Sequence, residues 1–194
     1  MKVVVIRYNA GNIQSVAFAL ERLGVEFTVS DHPEEITSAD KVIFPGVGEA
    51  GTTMRYLNDR KLDKVIVGLR QPVLGICLGM QLMCKDSAEN DTPCLGIFDC
   101  SVEKFTPTSE SKVPHMGWND LREIKDWHSP ELKNQFVYFV HSYFVPLNVY
   151  TTARTRYIVE FSAAMRKDNF YAVQFHPEKS ARYGELVLQN FLSI

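Results

Sequence analysis

The sequence predicts an α/β fold: an open, mostly parallel sheet flanked by helices, with an antiparallel portion added in its second half. Three observations carry this. Short apolar runs alternate with helical stretches through the first half, as parallel βαβ units require. Two of those runs end directly in small-residue turns, Pro45-Gly46-Val47-Gly48 and Gly75-Ile76-Cys77-Leu78-Gly79, where open sheets bind ligands at the carboxyl ends of their strands. The second half turns to β-branched and aromatic segments separated by polar turns, with no helix until the end.

Taken in order, residues 2–7 read as the first strand, an apolar run too short and too soon polar for a signal peptide. Residues 12–23 form an amphipathic helix closed by Gly24, and 25–30 and 41–45 are the second and third strands. A helical stretch in two pieces spans 51–69, the strand 72–76 follows, and a helix is predicted from Leu78 to about Lys85. Strands are then expected at 95–105, 114–122, 136–145, 151–157 and 161–174, the last interrupted by the turn Lys167-Asp168-Asn169. The chain ends in an amphipathic helix over 181–192 with Leu186, Leu188 and Phe191 inward. With 194 residues, 45% of them hydrophobic, and no repeat or linker, residues 1–194 are expected to form a single domain.

A formal net charge of −2 and the absence of a basic run give no electrostatic footprint for nucleic acid, and no apolar segment is long enough for a bilayer. The cysteines Cys77, Cys84, Cys94 and Cys100 show no metal-ligand spacing, and a helix through Leu78 would keep Cys77 and Cys84 too far apart for a disulfide. Reduced thiols in the cytoplasm are expected. Neither a metal nor a cofactor is implied.

Cys77, between Gly75 and Gly79 on a tight strand-to-helix turn, has the layout of a nucleophile elbow. A helix N-terminus favours the thiolate and offers backbone donors to an oxyanion. The alternative is a buried structural cysteine, against which the flanking glycines speak. Gln174-Phe175-His176-Pro177-Glu178-Lys179-Ser180 supplies a base: in an extended backbone His176 and Glu178 project to one side, and Pro177 restricts His176 to that conformation. Cys77, His176 and Glu178 would then act as nucleophile, base and orienter. Gly46-x-Gly48-x-x-Gly51 matches a dinucleotide fingerprint, but it follows the third strand and Leu69-Arg70-Gln71 stands where a ribose-binding acid belongs. The loop is better read as a turn presenting the N–H of Val47 or Gly48 to an oxyanion beside the N–H of Leu78.

The loop PGVG, GICLGMQ and QFHPEKS, in this order, resemble the class I (triad) glutamine amidotransferases, which implies a flavodoxin-like fold and a Cys-His-Glu glutaminase. More narrowly, Lys112-Val113-Pro114-His115-Met116-Gly117-Trp118-Asn119, Tyr138-Phe139-Val140-His141-Ser142-Tyr143-Phe144 and Gly11-Asn12-Ile13-Gln14-Ser15-Val16 are similar to the glutaminase subunits of imidazole glycerol phosphate synthases. The chain departs from that pattern at Arg7-Tyr8-Asn9-Ala10, where the family more often has an acidic residue, Tyr and Gly; Asn9 would tolerate the positive φ of such a turn. The resemblance implies that Gln81 and the backbone around Ser142 and Tyr143 hold the amino-acid end of L-glutamine. It implies that a (βα)8-barrel cyclase receives the ammonia to form imidazole glycerol phosphate in histidine biosynthesis. It further places Asn12, the segment Pro114, His115, Met116, Gly117, Trp118 and Asn119, and Tyr138 and Lys179 at the subunit interface or ammonia passage. From residue chemistry alone Gln81 reads equally as a polar residue on an exposed helix face, Trp118 and Tyr138 as core aromatics and Lys179 as a solvated lysine. The competing functions are the glutaminase of another ammonia-channelling synthase, a stand-alone cysteine hydrolase, and a silent subunit in which Cys77 senses oxidants.

Overall fold

The computed structural model describes residues 1–9 and 12–194; Ala10 and Gly11 of the two motifs above lie outside the described residues. The first half runs β1 (Val3–Ile6), α1 (Ile13–Arg22), β2 (Phe27–Ser30), α2 (Pro33–Thr37), β3 (Lys41–Phe44), α3 (Ala50–Asp59), α4 (Leu62–Val67), β4 (Val73–Ile76) and α5 (Leu78–Leu82). The second half contains β5 (Cys84–Ser87), β6 (Thr92–Pro93), β7 (Phe98–Lys104), β8 (His115–Asp120), β9 (Phe136–His141), β10 (Tyr143–Phe144), β11 (Thr151–Arg156), β12 (Glu160–Lys167) and β13 (Phe170–Val173). A 3-10 turn at Pro177–Lys179 leads into α6 (Ala181–Leu192).

Seven strands form the main sheet in the order β11-β12-β13-β4-β3-β1-β2. The five strands from β13 to β2 are parallel, while β12 and β11 add the antiparallel edge. Strand alternation feeds two apolar layers. Val4, Ile6 and Phe44 face α3 and α4 through Met54, Leu57, Leu62 and Ile66. Val3, Val5 and Ile43 face α1 and α6 through Val16, Leu20, Leu188 and Phe191. On α6 Val187 is fully buried and Leu186 only half-buried, a shift of one position from the expected stripe.

Tertiary pairing overrides the expected continuation of α5 to Lys85. Met83 closes the helix on the carbonyls of Gly79 and Met80, and Cys84 then enters β5, which pairs with β6 and β7 in a small four-stranded sheet with β10. Residues 136–145 are likewise split at Ser142 into β9 and β10, because β9 pairs with β8 while β10 crosses to β7. Residues 161–174 become a hairpin whose second arm, β13, joins β4 in parallel. That pairing sets the chain leaving β13 beside the chain leaving β4, and the candidate base beside the candidate nucleophile.

Candidate active site

Cys77 follows β4 directly, its N–H donating to Val173 O at 2.8 Å, and caps α5 with φ 52° and ψ −105°. A non-glycine residue there stores backbone strain, of the kind seen where a turn aims a reactive side chain. Gly79 permits the turn: a Cβ on it would fall on the carbonyl oxygen of Phe44 at the end of β3. Cys77 Sγ lies 3.7 Å from Gln174 Nε2 and 3.9 Å from Val140 O.

His176 leaves β13 in extended conformation and is tied to β9 by its N–H on Tyr138 O at 2.9 Å. Its Nδ1 lies 2.7 Å from Glu178 Oε1, with both side chains buried. The expected pair is thus formed, but Glu178 sits in the 3-10 turn Pro177–Lys179 and is folded back onto the ring, not placed two residues along an extended strand. Asn12, in left-handed conformation at the start of α1, donates from Nδ2 to the same carboxylate oxygen and lies 3.4 Å from His176 Nδ1. Burial opposes a charge on His176, yet the Cys77 sulfur and the Glu178 carboxylate outweigh it and raise the ring to about 10. Nε2 of His176 is buried without a hydrogen-bond partner, free to take or give a proton.

A cavity of about 250 Å³ opens over the sulfur, below the roughly 300–1,000 Å³ of drug-sized pockets. It is lined by Val47, Gly48, Cys77, Leu78, Gln81, Glu89, Pro114, Val140, His141, Ser142 and Tyr143. Six of the residues nominated for oxyanion or substrate contacts are therefore brought together: Val47, Gly48, Leu78, Gln81, Ser142 and Tyr143. Gly46 lies directly behind them, and its carbonyl accepts from Leu78 N–H at 3.3 Å. The donor expected to serve an oxyanion is occupied by the loop that was to share the task. Tyr8 braces this loop: its buried hydroxyl donates to Pro45 O, and a Cβ at Gly46 would collide with it. Arg7 turns away to pair with Asp31 at 2.5 Å on the surface.

The interface residues divide. Met116 (63% exposed) and Trp118 (53%) project outward from β8, where the register pairs Met116 with Val140 and Trp118 with Tyr138. The rings of Trp118 and Tyr138 meet edge-on at 6.0 Å, with Tyr138 half-buried and Lys179 exposed beyond it. His115 instead points inward, 3.1 Å from His141, and Asn12 lies against the base.

Sequence reasoning missed Glu89, Gln174 and His141 as members of the site. Glu89 is the carboxylate of the pocket, its Oε2 accepting from Ala50 N–H at 2.7 Å at the start of α3; burial raises its pKa. It lies in a turn after β5, which the sequence hid, so nothing marked it. Gln174 was within reach, since in the extended backbone expected there it projects to the same side as His176 two residues on.

A family model described as Glutamine amidotransferase class-I matches residues 4–194, which together with the fold and the pocket defines the class of protein. A Bacteroides fragilis protein named Imidazole glycerol phosphate synthase subunit HisH is 59% identical over all of both chains. The Idiomarina loihiensis protein of the same name is 41% identical, covering 100% of this chain and 98% of that one. Solved structures share the fold at low identity: a glutamine amidotransferase (TM-score 0.73, 19% identity, 98% and 97% coverage) and PurLQS from Thermotoga maritima (0.71, 17%, 99% and 97%). The chain belongs to the class-I glutamine amidotransferases and, within them, to the HisH subunits of imidazole glycerol phosphate synthase.

Proposed function

We propose that residues 1–194 act as one domain that hydrolyses L-glutamine at Cys77 and delivers the ammonia to a (βα)8-barrel cyclase in the cytoplasm. Among the described residues no helix is long and apolar enough to cross a membrane. The observation that carries the reading is the strained Cys77 turn with the buried His176–Glu178 pair beside it under a cavity of amino-acid size.

In this reading the glutamine carboxamide lies over Cys77 and the thiolate attacks its carbonyl carbon. His176 Nε2 then protonates the leaving nitrogen, ammonia departs, and water hydrolyses the γ-glutamyl thioester to glutamate with His176 as base. Glu178 holds the ring, and Asn12 holds Glu178. Glu89 has the charge to receive the substrate α-ammonium, in the same cavity as Gln81 and the Ser142–Tyr143 backbone. Turning over the Gly46–Val47 peptide removes the carbonyl from Leu78 N–H and presents Val47 N–H, completing two oxyanion donors. One such donor is worth roughly 10²–10³ in kcat, so the arrangement seen is a resting state.

The outward face of the β8–β9 ribbon, with Met116, Trp118 and Tyr138, is continuous through Val140 and Pro114 with the pocket wall. It is proposed as the cyclase-binding surface, with Lys179 at the passage. Cys77→Ala tests the separation of roles. In the assembled synthase it should abolish glutamine-dependent product formation and leave formation from added ammonium salt near wild type; equal loss of both activities would overturn the assignment.

A further inference from the structure

His141 Nδ1 lies 2.7 Å from Tyr143 O. A carbonyl only accepts, so Nδ1 carries the proton and Nε2 of the neutral ring presents its lone pair. His115 Nδ1, 3.1 Å away, must then be the donor, leaving His115 Nε2 to accept from Asn119 Nδ2 at 3.3 Å. Tyr143 O uses its second lone pair for Gln81 Nε2 at 2.9 Å. The other hydrogen of that amide goes to Gln174 Oε1 at 3.0 Å, which leaves the Gln174 NH₂ to reach Cys77 Sγ at 3.7 Å. Every group along this path has a single donor or acceptor role, with His141 and Gln81 both donating to Tyr143 O, where the two arms of the chain meet.

We infer that His141 is a positioning residue at the centre of this chain, which ties Asn119 on the proposed partner strand to the nucleophilic sulfur and carries the partner's activating effect to it. This rests on the glutaminase-subunit reading. The rings cannot swing out of the path: His115 is stacked on Phe139 and Tyr157 at 4.9 and 4.2 Å, and Phe161 meets both imidazoles edge-on. Burial keeps both neutral, with pKa values near 4 for His115 and 3 for His141, so the tautomers stay fixed at physiological pH. A cation at either ring would set two N–H groups against each other. Because His115, His141, Gln81 and Gln174 are buried, losing one of them strands its neighbours, and displacement at the β8 end is transmitted to the Tyr143 carbonyl and the Cys77 sulfur rather than absorbed by water.

The test uses the subunit assembled with its cyclase, measuring kcat and KM for glutamine with and without the cyclase's nucleotide ligand. In His141→Asn the amide takes the place of Nδ1 and keeps the bond to Tyr143, but it is too short to accept from His115. We expect KM to stay within about twofold while roughly tenfold of the ligand-induced rise in kcat is lost, the upper end of what one buried neutral hydrogen bond contributes. His115→Leu should show the same loss, and the double variant should be no worse than either single variant, since both break one chain. His141→Leu, which also frees Tyr143, should raise KM severalfold. Full activation of His141→Asn, or additive losses in the double variant, would overturn the inference. A wild-type complex that its ligand does not activate would overturn the partner coupling itself, and the inference with it.

Discussion

Cys77 is held in a backbone conformation that costs on the order of 1–3 kcal/mol, and the return is a sulfur that stands clear of the sheet beside His176. His176 Nδ1–H donates to Glu178 Oε1 and Asn12 Nδ2 donates to the same oxygen, so the ring is oriented by an oxygen that Asn12 holds in place and that a glutamine would also supply. Glu178→Gln should therefore lower kcat by much less than the roughly 10⁴-fold cost of losing the orienter in serine triads, and less than His176→Ala or Cys77→Ala. If Glu178→Gln were as inactive as Cys77→Ala with its fold intact, that ranking would be contradicted. Labelling needs a more selective reagent than the sequence suggests. Cys100 is half-buried, and its pKa is pushed down by its hydrogen-bond contact with Cys84, 3.7 Å away, so it competes for iodoacetamide with the buried Cys77. A glutamine-shaped chloroketone should instead mark Cys77 alone in peptide mapping. The candidate triad was legible because two short motifs carry all three residues. Glu89 and His141 were not, because their proposed roles arise from contacts between segments that no local pattern joins.

Among the elements, α5 shows how far local preference is subordinate to pairing. Leu78 to Lys85 has the composition of a longer helix, but β7 docks against Cys84–Ser87 and turns the chain into strand after Met83. The same limit hid β5, β6 and α2, whereas β1, α1, β3, β4 and α6 were legible from apolar runs and periodicity. Gly79 is the point where α5 and β3 touch. Gly79→Ala should lower the stability of the chain by about 1–3 kcal/mol through overpacking against Phe44, read as a reduced denaturation midpoint; an unchanged midpoint would mean that the close approach is not required. Trp118 occupies the middle of the exposed β8–β9 face. Trp118→Ala should weaken cyclase binding by about 2 kcal/mol or more while leaving the unfolding midpoint of the free chain nearly unchanged. A large loss of stability instead would make it a core residue.

At the scale of the whole molecule, three buried histidines fix the acid limit. His115, His128 and His141 take a proton near 6.5 when unfolded and near 4, 3 and 3 when folded, all through burial. Their folded pKa values are depressed, so their contribution is fully present above about 6.5 and is lost as pH falls toward 4 and 3, at about 1.4 kcal/mol for each pH unit that separates the folded from the unfolded value. The melting temperature should begin to fall between pH 6.5 and 5, before most carboxylates titrate; a flat profile over that window would contradict the buried neutral rings. His176 has the opposite sign: its contribution is present below 6.5 and lost as pH rises through about 10. The active site as a whole has Gly46 O on Leu78 N–H, and in the proposed mechanism it becomes a competent glutaminase when the partner turns that loop. The deciding experiment is kcat for glutamine hydrolysis in the chain alone, with the cyclase, and with the cyclase and its nucleotide ligand. A rise of at least roughly 10²–10³ between the first and the last is predicted, the worth of one of the two donors that the turned peptide supplies; a full rate from the chain alone would contradict the resting state and identify a stand-alone hydrolase.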